Sequence, residues 1–381
     1  MQAASLMQQR LFEPATSLGV TPVPYESGHE LLEEHEVDTE RELVTTLLDI
    51  SDITFKDSGQ GLRSVHAKSH GLLRGELQVL DLPLPYAQGL FANPRTYPAL
   101  IRLSTTPGDL LDDKVSTPRG LALKVIGVQG ERLPGSPGAV TQDFLLVNGP
   151  AFLAPTAHKF LGSLKLLAAT TDRVPNLKRA FSALLRGTEK IIEAVGGESG
   201  TLKGLGGHPE THILGETFFS QVPFLYGLHM AKWQIAPVSP ELLALKDAPV
   251  DLAGTPDGLR AAVVEHFATH GGEWELRVQL CTSLESMPIE DATVVWPEEE
   301  SPFVPVARLT VRPQSAWNET RSVEMDDGLS FSPWHGLAAH RPLGSINRVR
   351  QQAYASSSLA RSSRGRCPVH EPAVGDVIGA G

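Results

Sequence analysis

The chain is poor in cysteine: of 381 residues only Cys281 and Cys367 are thiols, far apart in sequence. Such a pair makes neither a disulfide framework nor a thiolate metal cluster, so a reducing, cytoplasmic setting is expected. Long apolar runs are also missing. None approaches the roughly 18 apolar residues of a membrane-spanning helix. The opening stretch, MQAASLMQQRLFEPATS, has no cationic segment leading into an apolar one, so neither secretion nor membrane insertion is expected. Cations are in the minority, 33 against 44 acids, for a net charge of −11. That balance argues against a dedicated nucleic-acid binder or a cationic membrane-surface protein. Hydrophobic residues, by contrast, reach 41%, and 35 glycines with 29 prolines supply turns, which excludes a disordered or collagen-like chain. The length admits one large domain or two ordinary ones.

Residues 1–25 carry Pro14, Pro22 and Pro24 without a sustained period and read as an arm lying over the surface. From Ser27, a candidate N-cap, the positions of Leu31, Leu32, Val37, Leu43, Leu47 and Leu48 predict one long or two short amphipathic helices ending near Ser51. Short β-rich runs follow at 62–67, 73–80, 99–104, 120–126 and 143–147. Pro, Gly and Asp turns separate them, the spacing of an antiparallel barrel rather than a βαβ sheet. Helical periodicity, with Phe160, Leu161, Leu164 and later Phe181, Leu184 and Ile191, predicts an insertion over 155–195. A glycine-rich connection, 196–207, leads back to strands within 216–237, 274–282 and 304–311. A last helix is expected over 343–361, and the small, polar residues 363–381 have the features of a flexible tail. The expected class is therefore α+β: an antiparallel β-barrel with surrounding helices, in one domain over 26–362. No internal repeat is visible.

Thirteen histidines invite metal-site readings, and most of these are excluded by spacing. His29 and His35 are six apart, not the i, i+4 of two zinc ligands on one helical face. His335 and His340 lie in a loop-like segment after Pro333, where a structural or surface role is expected. Cys367 and His370 offer two ligands only. The 196–207 stretch lacks the Gly-Lys-Ser/Thr ending of a phosphate loop.

Two segments carry chemistry. In Arg63-Ser64-Val65-His66-Ala67-Lys68, strand alternation would put Ser64, His66 and Lys68 on one face. In the last helix, Arg350, Tyr354 and Arg361 stand at i, i+4 and i+11, within about 40° of one face at roughly 100° per residue. Two cations flanking a phenol make a poor core stripe. They suit a phenolate ligand to ferric iron, with Arg350 favouring the charged phenol and Arg361 free to meet a carboxylate.

These residues resemble the catalase superfamily. The run 63–68, followed by a glycine-containing turn into Gly75-Glu76-Leu77, is similar to the catalase distal strand, and Arg350-x-x-x-Tyr354 to the proximal motif, with Arg361 at the place of its further arginine. Ile101-Arg102-Leu103-Ser104-Thr105 resembles the strand with a propionate-binding arginine and a serine that orients the distal histidine. Pro118-Arg119-Gly120-Leu121-Ala122-Leu123-Lys124 is similar to the next strand, and Phe144 and Phe152 fall where the family places aromatics over the heme. The resemblance spans about residues 60–361.

What it implies is a catalase-type barrel with a C-terminal heme-ligand helix and a ferric heme b. Tyr354 would be the iron ligand, tuned by Arg350, and His66, oriented by Ser104, would move the peroxide proton. Val65, Arg63, Arg102, Phe144, Phe152 and Arg361 would hold the cofactor, the arginines pairing with its two carboxylates. The chain departs from the family in three ways. It lacks length for the helical C-terminal extension where some members bind a nicotinamide dinucleotide, so none is expected. In place of the family's Gly-Asn-Asn-Thr-Pro, it reads Gly138-Ala139-Val140-Thr141-Gln142, without the distal asparagine. After Tyr354, Ala355-Ser356-Ser357-Ser358 replaces Pro-Asp-Thr-His. The expectation is a small peroxidase or peroxygenase acting on hydrogen peroxide or organic hydroperoxides with a small organic substrate or donor, and weak in dismutation. Against it stand a hydroperoxide-isomerising enzyme similar to the catalase-related allene oxide synthases and a non-catalytic heme binder. A homo-oligomer is compatible with all three.

Overall fold

Leucine, valine and isoleucine at alternate positions build strands whose two faces differ in chemistry, and those faces decide where the site lies. The computed structural model of the chain describes residues 20–106, 108, 110–114, 117–136, 138–171, 210–252 and 254–373. Among these, one antiparallel sheet contains β1 (Lys68–Val79), β2 (Thr96–Thr105), β3 (Arg119–Ile126), β4 (Thr141–Val147), β5 (Phe218–Phe219), β6 (Phe224–Tyr226), β7 (His229–Pro237), β8 (Gly272–Leu280) and β9 (Val304–Val311). Their order is β5-β4-β3-β2-β1-β9-β8-β7-β6, and β5 also pairs with β7. That second pairing, Phe218 with Ile235, closes eight strands into a barrel and leaves β6 outside the ring. The expected α+β barrel is thus present.

The register separates an apolar inside from a polar outside. Ile101 and Leu103 on β2 face Leu123 and Leu121 on β3, and Leu123 faces Phe144 on β4, all in the barrel core. One residue on, Arg102 and Ser104 face Ala122 and Gly120, and Lys124 faces Asp143, on the outer side. Inside, Phe91, Phe144, Tyr226 and Trp233 form an aromatic cluster, with Phe144 edge-on to Trp233 at 5.1 Å. Such pairs contribute about 0.5–1.5 kcal/mol beyond their burial.

Helices cover the outer surface. The longer ones among the described residues are α1 (Glu36–Ser58), α2 (Ala157–Thr171), α3 (Gly258–Thr269) and α4 (Ser345–Arg364). α1 buries Leu43 and Leu47, and α4 buries Ile346, Val349 and Ala353. Arg364 ties the two together, pairing with Asp52 at 2.6 Å and lying over the Phe55 ring.

Three expectations need correction. Only a single 3-10 turn, Ser27–His29, forms at the expected start, and the first α-helix begins at Glu36, because His35 turns the chain in the left-handed region at φ 61° and leaves Leu31 and Leu32 exposed. Residues 62–67 are not a strand: β1 starts at Lys68, and His66 sits in the preceding bend at φ 54°. The chain after Ser362 is not loose as far as it is described, since α4 runs to Arg364 and His370 N–H donates to Gly328 O at 2.9 Å. Residues 374–381 lie outside the described residues. So do residues 1–19 of the expected arm, whose remainder bridges the barrel edge through Pro24 and His229. Of the 155–195 insertion, residues 157–171 are helical and 172–195 lie outside the described residues, as does the 196–207 connection.

Candidate active site

The bend before β1 delivers His66 onto the outer face of the barrel. A histidine with positive φ is uncommon, and such strain concentrates at functional sites. Its Nδ1 lies 3.2 Å from the Ser104 hydroxyl on β2. Only a glycine fits beneath the ring: a Cβ at Gly120 on β3 would lie 2.7 Å from both Nδ1 and Cε1 of His66. Burial, with the positive charges of Arg102 and Arg350, pulls the imidazole down to about 3, so it is neutral near pH 7. Arg350 is on α4, so the charge of the last helix reaches the histidine of the first motif. A direct contact joins the two segments, Ser64 Oγ to Ser357 Oγ at 3.3 Å.

On α4 the Arg350 guanidinium donates to the Tyr354 hydroxyl at 3.0 Å and to Asn347 Oδ1 at 3.1 Å. Helical i, i+4 spacing brings this about directly. Arg361, two turns further, turns toward a π-helical segment, Ser322–Asp327. There Arg63, Arg102 and Arg361 converge on one acid, Asp326. Its Oδ1 accepts from Arg102 Nε at 2.6 Å and from Arg63 at 3.2 Å, its Oδ2 accepts from Ser69, and its backbone carbonyl accepts from Arg361 at 2.8 Å. Leu329 O accepts from both Arg63 and Arg361 at 3.0 Å. Burial raises the Asp326 carboxyl, but Arg102, Arg63 and the Ser69 hydroxyl outweigh it and hold it below the usual carboxylate range. Burial and the neighbouring Arg102 charge in turn pull Arg361 down to about 10. Sequence reasoning missed Asp326. The signal was faint, an Asp-Asp-Gly run with no period.

The structure therefore brings together His66, Ser104, Arg63, Arg102, Arg350, Tyr354 and Arg361, and of the three remaining expected cofactor contacts it turns Phe144 away. Phe144 points into the barrel, because the alternation of β4 puts Leu145, not Phe144, on the face of Arg102. Phe152 is half-buried, edge-on to Phe160 at 5.1 Å. Val65 is 42% exposed. Nor do Thr141 and Gln142 offer a free distal donor. Thr141 Oγ1 donates to Glu371 at 2.9 Å, and Gln142 Oε1 accepts from Leu337 N–H at 2.9 Å. His340, read as structural, is buried with Nε2 accepting from Leu90 N–H. Among the described residues no cluster of three His, Cys, Asp or Glu side chains is arranged for a metal ion.

The donor set fits a heme. A phenol beside a guanidinium is the chemistry of a phenolate iron ligand. Arg63 and Arg102 pair with the Asp326 carboxylate and Arg361 lies beside it, with Asp327 a further acid that Arg366 already pairs, so the cluster keeps an excess of positive charge suited to the carboxylates of heme b.

No family model matches the sequence, and no curated protein matches it. Solved structures do. A fungal catalase is similar at 18% identity with a TM-score of 0.55, over 83% of this chain and 62% of its own. Catalase A from Saccharomyces cerevisiae is similar at 17% identity and 0.56, over 94% and 71%, and a bacterial catalase at 15% and 0.55, over 94% and 69%. The chain thus spans less than two thirds of the fungal catalase's length. Its closed antiparallel barrel with flanking helices is a catalase-like fold.

Proposed function

We propose that the chain is a heme-dependent oxidoreductase that consumes peroxide, working mainly as a peroxidase or peroxygenase on hydrogen peroxide or organic hydroperoxides. The observation that carries this reading is a half-buried His66 held by Ser104, with Arg350, whose charge bears on its ring, contacting Tyr354. Tyr354 would ligate the iron, with Arg63, Arg102 and Arg361 receiving the carboxylates and Phe152 and Val65 at the rim. A ferric heme bound there would supply the electrons for cleavage of a peroxide O–O bond. With Nδ1 engaged by Ser104, Nε2 of His66 is the nitrogen left to accept the peroxide proton. The resulting cation is disfavoured by burial beside Arg102 and Arg350, so the proton is returned readily to the departing oxygen. Ser104 fixes the ring while this happens. With Thr141 and Gln142 already bonded elsewhere, neither is free to orient a second hydrogen peroxide, which favours a donor or an alkyl peroxide over dismutation.

The test is reconstitution with hemin, a spectrum, and peroxide consumption with and without a reducing donor. A tyrosinate-ligated ferric spectrum and donor-dependent turnover are expected. A chain that takes up no hemin, or peroxide loss wholly as oxygen at full catalase rates, would overturn the proposal.

A further inference from the structure

The segment following α4 turns back along the stretch that holds the arginines. His370 N–H donates to Gly328 O at 2.9 Å, and Leu329 and His370 form a parallel bridge. Arg366 anchors one end, pairing with Asp327 and Glu319 and donating to Ser322 Oγ. Glu371 anchors the other. Its carboxylate accepts from Lys124 Nζ at 2.8 Å, from Thr141 Oγ1 at 2.9 Å and from Ser330 Oγ at 3.3 Å, and it pairs with His335 Nδ1 at 3.1 Å. Lys124 is fully buried on the outer face of β3 and shares its charge between Asp143 and Glu371. Between the two anchors lie Asp326 and Leu329, the groups that Arg63, Arg102 and Arg361 hold.

We propose that Arg366–Glu371 is a clamp that fixes the 326–331 segment and thereby sets the three arginines for a dicarboxylate porphyrin, an inference that rests on the heme reading above. Glu371 is a positioning residue, because its own partners are Lys124, Thr141, Ser330 and His335 rather than the arginines. Removing its charge leaves the buried Lys124 and the half-buried His335 with Asp143 alone, and such an imbalance favours release of the segment. A released segment carries Asp326 and the Leu329 carbonyl with it. Arg63 and Arg361 then lose the fixed acceptors that aim their guanidinium groups.

Two variants test the clamp from its two ends. Glu371→Gln removes the half-buried anchor, and Arg366→Gln removes the more exposed one, which keeps the test open if the first variant fails to fold. Amide hydrogen exchange across 326–331 in the heme-free chain should rise about tenfold or more in each. In parallel, the chain is titrated with iron protoporphyrin IX and with its dimethyl ester, which has no free carboxylates. The wild type should prefer the diacid, and the variants should lose about tenfold in affinity for it, with the ester bound as before. Exchange that matches the wild type overturns the clamp whatever the porphyrins do. Faster exchange with an unchanged diacid preference overturns its link to the arginines. A wild type that binds neither porphyrin overturns the heme reading and leaves the exchange rates to judge the clamp.

Discussion

Ser104 and His66, 38 positions apart, meet at 3.2 Å because β2 and the bend before β1 converge over a glycine, Gly120, that cannot be enlarged without striking the imidazole. The contact settles which ring nitrogen is engaged. His66→Ala should leave hemin binding intact and slow peroxide cleavage by roughly 10² to 10⁴, the range for loss of a general acid-base group. Gly120→Ala should act in the same direction by displacing the ring. Stopped-flow kinetics checks both, and cleavage at wild-type rate in His66→Ala would assign the proton transfer elsewhere.

Tyr354 is the second lever. Phenylalanine has no oxygen to offer iron, so Tyr354→Phe should abolish the ferric tyrosinate spectrum. Arg350→Leu should shift it without abolishing it, since the guanidinium 3.0 Å from the phenol oxygen stabilises the charged ligand. An unchanged spectrum in Tyr354→Phe removes the axial assignment.

Much of this was legible in advance because alternation and helical period are local. β2, β3, β4 and β9 lie within three residues of their expected bounds, and α4 within three. What escaped notice depends on contacts distant in sequence. Asp326 acquires its role only when Arg63, Arg102 and Arg361 arrive from three elements. Lys124 and Asp143 become a pair only through the β3–β4 register. Phe144 was misplaced because motif position does not tell which face of a strand a residue takes, and His66 because alternation does not reveal a positive φ. Helix α3 went unread: its apolar residues, Leu259, Val263 and Phe267, follow a glycine-rich approach with no strong cap.

Asp326→Asn should be costly in the heme-free protein. Removing one partner of a buried ion pair typically costs about 3–5 kcal/mol, and here it leaves the Arg63 and Arg102 guanidinium groups without their carboxylate, while Arg361 keeps the backbone carbonyl. Added hemin should restore part of the loss, since its carboxylates bind only the folded chain. Urea unfolding with and without hemin measures both, and a variant as stable as the wild type without hemin would contradict the charge accounting.

Alkaline pH should weaken the clamp region. Burial lowers the His335 imidazole, but hydrogen bonds to Asp143 and Glu371 outweigh burial and the nearby Lys124 charge, raising it to about 9. Arg132 is the other cation nearby. A group raised in the folded state contributes fully below its unfolded value of about 6.5 and loses that contribution as pH climbs through about 9. The span corresponds to on the order of 3 kcal/mol. For Glu371 burial raises the carboxyl, yet Lys124 and His335 lower it further, so its contribution is present above about 4.5 and fades on acidification. His335→Gln should therefore lose stability at pH 6 and converge with the wild type near pH 10. Parallel unfolding curves at the two pH values would rule this out.

The last prediction concerns which peroxide the site prefers. In a catalase the distal amide orients hydrogen peroxide; the stretch that the sequence resemblance sets against it is Ala139-Val140-Thr141-Gln142, and its two polar side chains are committed to Glu371 and to Leu337 N–H. Losing one neutral hydrogen bond costs about 0.5–1.5 kcal/mol, more if a partner is left unsatisfied. Through the rate relation this is about two- to tenfold in turnover. Oxygen release from hydrogen peroxide should therefore be weak relative to donor oxidation by cumyl or lipid hydroperoxide. Gln142→Ala should lower stability, because Leu337 N–H loses its acceptor, yet leave the ratio of the two activities unchanged. Val140→Asn, which puts an amide into the same stretch, should raise oxygen release relative to donor oxidation. A collapse of oxygen release in Gln142→Ala at unchanged folding would instead make Gln142 the substitute donor and defeat the prediction.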